Sequence, residues 1–252
     1  MVIAVLNSKG GVGKTTTAVC LAAALAAPRR RILLVDLDSQ AGVSRWCGVT
    51  PDHLRPSAAS VLLEKYPILK AVRRTSVPQL DLLTGSLELA NIDVTFADQR
   101  GRERMLARAL DRLRTHYELI VLDGAPGLSL LAVNAVVAAD ALIVPVMPEP
   151  AVVECLEGFF ASIDRVRTRM QTRSVLLGIL LSGVDPRRPL HRETADVVRS
   201  AHRDTVFHTE IRWTAALAQA PDAHRPPSPS DVFRRLGGEV LHRLATARHD
   251  RS

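Results

Sequence analysis

The chain has 252 residues, 47% of them apolar, enough to bury the core of one large α/β domain spanning residues 1–252. No apolar run reaches the length of a membrane span, and Met1 leads straight into an apolar stretch that leaves no room for a signal peptide. A cytoplasmic protein is therefore expected, and 33 Lys and Arg against 26 Asp and Glu, a net charge of +7, favour polyanionic partners over acidic or membrane-spanning classes.

The first predicted element is a buried strand over residues 2–6, which runs into Lys9-Gly10-Gly11-Val12-Gly13-Lys14-Thr15-Thr16. A strand that ends in a glycine-rich turn and opens a helix aims several backbone N–H groups at one point, where a di- or triphosphate fits. In this pattern Lys14 reaches the β- and γ-phosphates and the Thr15 hydroxyl binds Mg²⁺. The usual pattern has glycine at position 8, where this chain has Ser8, so the match is to a deviant form with an additional lysine, Lys9. The chain has only four lysines against 29 arginines, and two of the four sit in this loop.

A helix is expected over 15–27 and a second strand over 32–35, ending in Asp36-Leu37-Asp38. Carboxylates two residues apart at a strand end point the same way, here toward the phosphate site. One can support Mg²⁺ or its water shell and the other can hold or polarise an attacking water. Residues 45–70 read as short helices and loops, 80–83 as a strand and 102–115 as a helix. The strand expected over 119–122 is followed by Asp123, four apolar residues then a carboxylate, the arrangement that binds Mg²⁺, usually through water. Helices over 130–138, 152–171 and 192–201 alternate with strands over 141–146, 175–181 and 205–211. The stretch 221–230 is proline-rich, and Val232, Leu236, Val240 and Leu244 form the core-docking stripe of a last helix over 231–245. Near-continuous Val/Ile/Leu strands separated by helices predict a doubly wound, mostly parallel sheet with helices on both faces, the P-loop NTPase class. Ligands then bind at the carboxyl ends of the strands, where each of these motifs lies.

Taken together, 9–16, 35–40, 120–126, 131–140 and 144–149, with Val184-Asp185-Pro186-Arg187 and Ala220-Pro221, resemble the ParA/MinD family of deviant Walker ATPases over nearly the whole chain. Short Soj-like ParA partition proteins fit best. The resemblance implies an ATP- and Mg²⁺-dependent enzyme, with Thr15, Asp38 and Asp123 toward the metal and Asp38 closest to hydrolysis. It implies that Lys9 crosses a face-to-face homodimer to the partner's nucleotide and that Gly10 stays small where subunits approach. It also implies that the ATP-bound dimer binds DNA non-specifically on the nucleoid, through Arg187 and neighbours such as Arg188 and Arg212, and that a ParB-like centromere-binding protein stimulates turnover. The second arginine that such relatives use falls on Ala216. Further departures are Ser39 and Ala41 where the family has Pro and Gly, Gly124-Ala125-Pro126-Gly127 for Pro-Pro-Ser, and Arg212 for a proline near the adenine.

Two other readings are weighed. A MinD-like or cargo-positioning ATPase would act on a membrane or protein array, but the tail from Ala245 to Asp250 is a poor membrane anchor, so no membrane partner is expected. A nitrogenase-type iron protein needs cysteines at a dimer seam. Cys20, Cys47 and Cys155 lack that spacing; they lie in or beside apolar segments and read as packing residues.

Overall fold

The computed structural model describes residues 1–224 and 230–249; residues 225–229 of the proline-rich 221–230 stretch and residue 250 of the tail lie outside them. The elements in order are β1 (Val2–Val5), α1 (Lys14–Leu25), β2 (Ile32–Leu37), α2 (Gly42–Trp46), α3 (Ala58–Leu63), α4 (Ile68–Ala71) and β3 (Arg73–Arg74). Then come β4 (Leu80–Leu83), α5 (Ile92–Thr95), α6 (Met105–Asp111), β5 (Leu119–Gly124), α7 (Leu130–Ala138), β6 (Ala141–Val146), α8 (Pro150–Val153) and α9 (Leu156–Met170). The last are β7 (Val175–Val184), α10 (Pro189–His202), β8 (Ile211–Arg212), α11 (Ala215–Gln219) and α12 (Asp231–His249).

The strands form one sheet in the order β3-β4-β2-β5-β1-β6-β7-β8, parallel except for the β3–β4 pair. Successive side chains of each strand enter opposite cores. Val2, Ala4, Leu33 and Val35 pack on one face with Leu106, Leu110, Val136 and Phe159, whereas Ile3, Val5, Ile32 and Leu34 pack on the other with α1 and α12. Burial on both faces is why these strands are apolar at every position and not at alternate ones. Because β1 lies between β5 and β6, the turns that follow β1, β2 and β5 gather at one end of the sheet. Among the described residues no helix is long and apolar enough to cross a membrane.

Five sequence expectations are corrected. Residues 205–211 are not a strand: a 3₁₀ turn at Arg203–Thr205 and a single bridge from Val206 to Ile179 precede the two-residue β8. The N–H groups of His208 and Thr209 donate to the Glu239 carboxylate on α12, which takes them away from the sheet. Only Met105–Asp111 of 102–115 is α-helical, after a 3₁₀ turn, because Asn134 accepts from the Leu106 N–H and donates to the Arg102 carbonyl at its start. The 152–171 helix is two helices, separated at Glu154 and Cys155, and Pro150 opens the first. Cys155 is exposed and packs no core; Cys20 is buried and Cys47 half-buried. On α12, Phe233, Leu236, Val240 and Leu244 are buried, whereas Val232 is only half-buried.

Candidate nucleotide site

The phosphate-loop residues occupy the turn between β1 and α1. Asn7, buried at the end of β1, fixes its start: the side-chain amide donates to the Pro145 carbonyl (2.7 Å) and its oxygen accepts from the Lys9 N–H (2.9 Å). Gly11 and Gly13 adopt φ of +74° and +86°, where a side chain is strained, and a Cβ on Gly13 would strike Ser182 Oγ. Gly10 differs. A Cβ there meets nothing within 4 Å among the described residues, so none of them demands glycine at that position. Val12 is buried, and α1 starts at Lys14 with no side-chain cap, which leaves its first N–H groups open to an anion.

Lys14 is 7% exposed and its Nζ donates to the Lys9 carbonyl at 2.7 Å. Burial pushes its pKa down, opposed by the charges of Asp123 and Asp38. Thr15 and Thr16 are half-buried in the first turn of α1. The Thr15 hydroxyl donates to Asp123 Oδ2 at 2.8 Å. Asp123 is buried, its Oδ1 has no hydrogen-bond partner among the described residues, and its carboxyl is held well above the usual range, by burial first and then by Asp36 and Asp38. An orphan carboxylate oxygen beside a hydroxyl and a phosphate cradle suits a hard divalent cation that keeps part of its water shell. Such an ion does not require a dedicated protein cage, and among the described residues no group of three or more His, Cys, Asp or Glu side chains forms one.

The two acids after β2 do not act alike. Asp38 is half-buried and near Lys14, and its Oδ1 accepts from the Gln40 N–H. Asp36 is fully buried, paired in register with Asp123, and committed to α2: its Oδ2 accepts from the N–H and hydroxyl of Ser44, and its Oδ1 from the Asp38 N–H. Burial raises its pKa to about 6 against those three bonds. The expectation that both carboxylates point freely at the phosphate site is thus corrected for Asp36, which braces the turn that presents Asp38. Sequence reasoning missed two members of this brace. Gly85, after β4, accommodates the close approach, because a Cβ there would come within 2.6 Å of the Asp38 carbonyl and 2.8 Å of Asp36 Cγ; Ser44 Oγ accepts from its N–H. Neither residue stands in a chemical motif; only the φ-unremarkable glycine and the serine's burial mark them.

Arg187, Arg188 and Arg212 gather at the same end of the sheet, but each already faces a carboxylate. Arg187 forks onto Asp185 (Nε–Oδ1 and Nη2–Oδ2 both 2.9 Å) and lies 6.0 Å from the Trp213 ring centroid. Arg188 is 3.9 Å from Glu149, and Arg212 Nε is 3.2 Å from Glu210. A cavity of about 780 Å³ opens beside β8 and α12, lined by residues that include Cys20, Glu210, Arg212 and Phe233. It is separate from the phosphate loop.

A family model described as an AAA domain matches residues 1–176. The chain is 32% identical to the sporulation initiation inhibitor protein Soj of Bacillus subtilis over 97% of its own length and 96% of that protein's. It is 33% identical to the chromosome partitioning protein ParA of Caulobacter vibrioides, over 96% and 94%. The chain belongs to the ParA/Soj family of P-loop ATPases. The mostly parallel sheet agrees with that family. Among solved structures, a Mycobacterium smegmatis protein described as cobyrinic acid a,c-diamide synthase with bound ADP and magnesium superposes with a TM-score of 0.85 at 30% identity, covering 97% of this chain and 95% of that one. Cyanothece McdA in complex with ATP gives 0.85 at 17% identity over 97% and 96%, a likeness of fold alone.

Proposed function

We propose that this chain is one domain that couples ATP binding and hydrolysis to DNA partition, acting in the cytoplasm on the nucleoid. The observation that carries the reading is the Lys14–Thr15–Asp123 constellation, with its orphan Asp123 oxygen, in a loop that also presents Lys9. The N–H groups from Gly10 to Thr16 cradle the phosphates, and Lys14 takes the β- and γ-phosphate charge. Thr15 and Asp123 hold Mg²⁺, which offsets charge on the transferred phosphoryl group when bound. Asp38, held out from the braced turn, orients the attacking water.

Two observations support a face-to-face homodimer. Among the described residues the Lys9 ammonium has no hydrogen-bond or ion-pair partner, and Gly10 needs to be small only for something outside its own chain. The sequence supplies no arginine evidently aimed at its own phosphates, and such a charge supplied in trans adds ~10³ to 10⁵ in related reactions. A basic segment of a ParB-like partner, together with DNA, is therefore the expected stimulus. The test is ATP turnover by the wild-type chain alone, with duplex DNA, and with DNA plus the ParB-like protein encoded nearest to it. Slow basal turnover that rises only with partner and DNA supports the reading. Turnover that answers to a protein array or anionic vesicles instead moves it to cargo positioning, and turnover that answers to cobyrinic acid with an amine donor moves it to amide synthesis.

A further inference from the structure

The segment that follows Asp123 is seated by a side chain from another strand. At Asp123 itself β5 is paired on both sides, with Asp36 of β2 and with Val5 of β1. One residue further on, the ladder continues only toward β2, where Gly124 pairs with Leu37. On the β1 side the Leu6 side chain fills the flank instead: a Cβ built on Gly124 would fall on Leu6 Cδ2 and lie 3.3 Å from the Val5 carbonyl oxygen. Gly124 does not adopt a positive φ, so glycine here answers to space and not to backbone conformation.

Leu6 is packed unevenly. It is 2% exposed and shares a core with Val144, Phe159 and Ile163, yet it also lines a mainly apolar cavity of about 120 Å³ together with Leu142 and Leu176. Toward the cavity it has room; toward Gly124 it has none. Dispersion contacts weaken steeply across a gap of even about 1 Å, so the Gly124 flank is where Leu6 can transmit position. Both neighbours of this contact lead into the nucleotide site. Leu6 precedes Asn7, which fixes the start of the phosphate loop, and the Gly127 N–H returns to the Ser8 carbonyl at 3.0 Å. The Asp123 carboxylate is tethered at Oδ2 alone, by Thr15, so the main chain on either side of Asp123 decides where the free Oδ1 lies.

We propose that Leu6 is a positioning residue for the cation site: by its contact with Gly124 it holds the Asp123 main chain so that Oδ1 stays available to Mg²⁺. The inference rests on the ATP and Mg²⁺ reading above and adds to it a residue with no polar side-chain atom. The test is titration of the fluorescent analogue mant-ATP against the full-length chain in EDTA and over a range of Mg²⁺, with Tm measured on the same samples. In Leu6→Ala, the Mg²⁺ concentration that half-develops the metal-dependent gain in affinity should rise on the order of tenfold, the lower end of what losing a ligand-orienting group costs. Leu6→Val, a smaller excision, keeps the test open should Leu6→Ala fail to fold, and should shift the requirement in the same direction. In Leu6→Ala/Gly124→Ala the new Cβ returns carbon to the emptied space, and most of the wild-type requirement should be recovered. Ile163→Ala, on the α9 wall of the same cavity, should lower the Tm and leave the Mg²⁺ requirement alone. An unchanged requirement in both Leu6 variants overturns the proposal, as does an equal shift in Ile163→Ala or a double variant that recovers nothing; Leu6 would then be core packing only. No gain from Mg²⁺ in the wild type faults the ATP reading itself, and this inference falls with it, whereas a wild-type gain that the Leu6 variants keep faults this inference alone.

Discussion

The Asp123 carboxyl is buried beside two other acids, yet one of its oxygens has no partner. That arrangement is unfavourable for the protein alone and favourable once a divalent cation shares it, a trade of stability for function. Asp123→Asn keeps an acceptor for the Thr15 hydroxyl and removes the buried acid. Its Tm without nucleotide should equal or exceed that of the wild type. The additional rise that Mg²⁺ gives on top of ATP, worth about 2.7 kcal/mol for a ligand at a hundred times its Kd, should vanish; scanning calorimetry with ATP in EDTA and in Mg²⁺ separates the two. Asp36 gives a pH signature. Its folded pKa of about 6 lies above the ordinary 3.8, so the folded state holds this proton more tightly than the unfolded one. Its contribution is present in full below about pH 4 and is lost as pH rises through 6. Against Asp36→Asn, the wild type should therefore lose on the order of 3 kcal/mol between pH 4 and 7, measured by urea unfolding at each pH. A difference that runs the other way would show that the Ser44 bonds outweigh burial.

At the scale of elements, Ala41 shows how a local departure is tolerated. It opens α2 at φ +50° and ψ +40°, the left-handed region that a Cβ disfavours. The turn it makes carries the Asp36–Ser44 bonds, so the surrounding hydrogen bonds hold the strain in place. Ala41→Gly should raise stability by up to about 1 kcal/mol, read as a higher urea midpoint, with the entropy of the freer unfolded chain offsetting part of the relief. The helix α12 supplies the complementary case. Leu236 and Val240 are fully buried against α1, so Leu236→Ala should cost about 2 to 5 kcal/mol, far more than a membrane-facing side chain would. Elements of this kind were legible in the sequence because both faces of the sheet are buried and the strands read as unbroken apolar runs. The phosphate loop and Asp123 were legible because their chemistry restricts residue type. The brace was not, since Gly85 and Ser44 act through close approach and a shared carboxylate contributed by separate strands and loops. β3 escaped for a different reason: it is two arginines, and Arg73 is held by the His53, Leu54 and Pro56 carbonyls and not by apolar packing. The break within 205–211 depends on Glu239, some thirty residues away.

For the whole molecule, the parallel sheet gathers the nucleotide chemistry at one end. Association is therefore expected on the phosphate-loop face. ATP with Mg²⁺ should double the mass measured by light scattering, most clearly in the slowly hydrolysing Asp38→Ala. Lys14→Ala should abolish nucleotide binding altogether, whereas Lys9→Ala should retain most of it and lose the dimer. An identical mass with and without ATP, in the wild type and Asp38→Ala alike, would remove the dimer from the mechanism. The Lys14 ammonium donates to the Lys9 carbonyl across 2.7 Å of the same loop, which leaves two of its three donors for a phosphate. The Lys9 main chain is held from its other side too, where its N–H donates to Asn7 Oδ1. Both lysines of the loop thus meet at one stretch of main chain, so the residue at the phosphate cradle and the residue outside it are fixed by the same pair of hydrogen bonds.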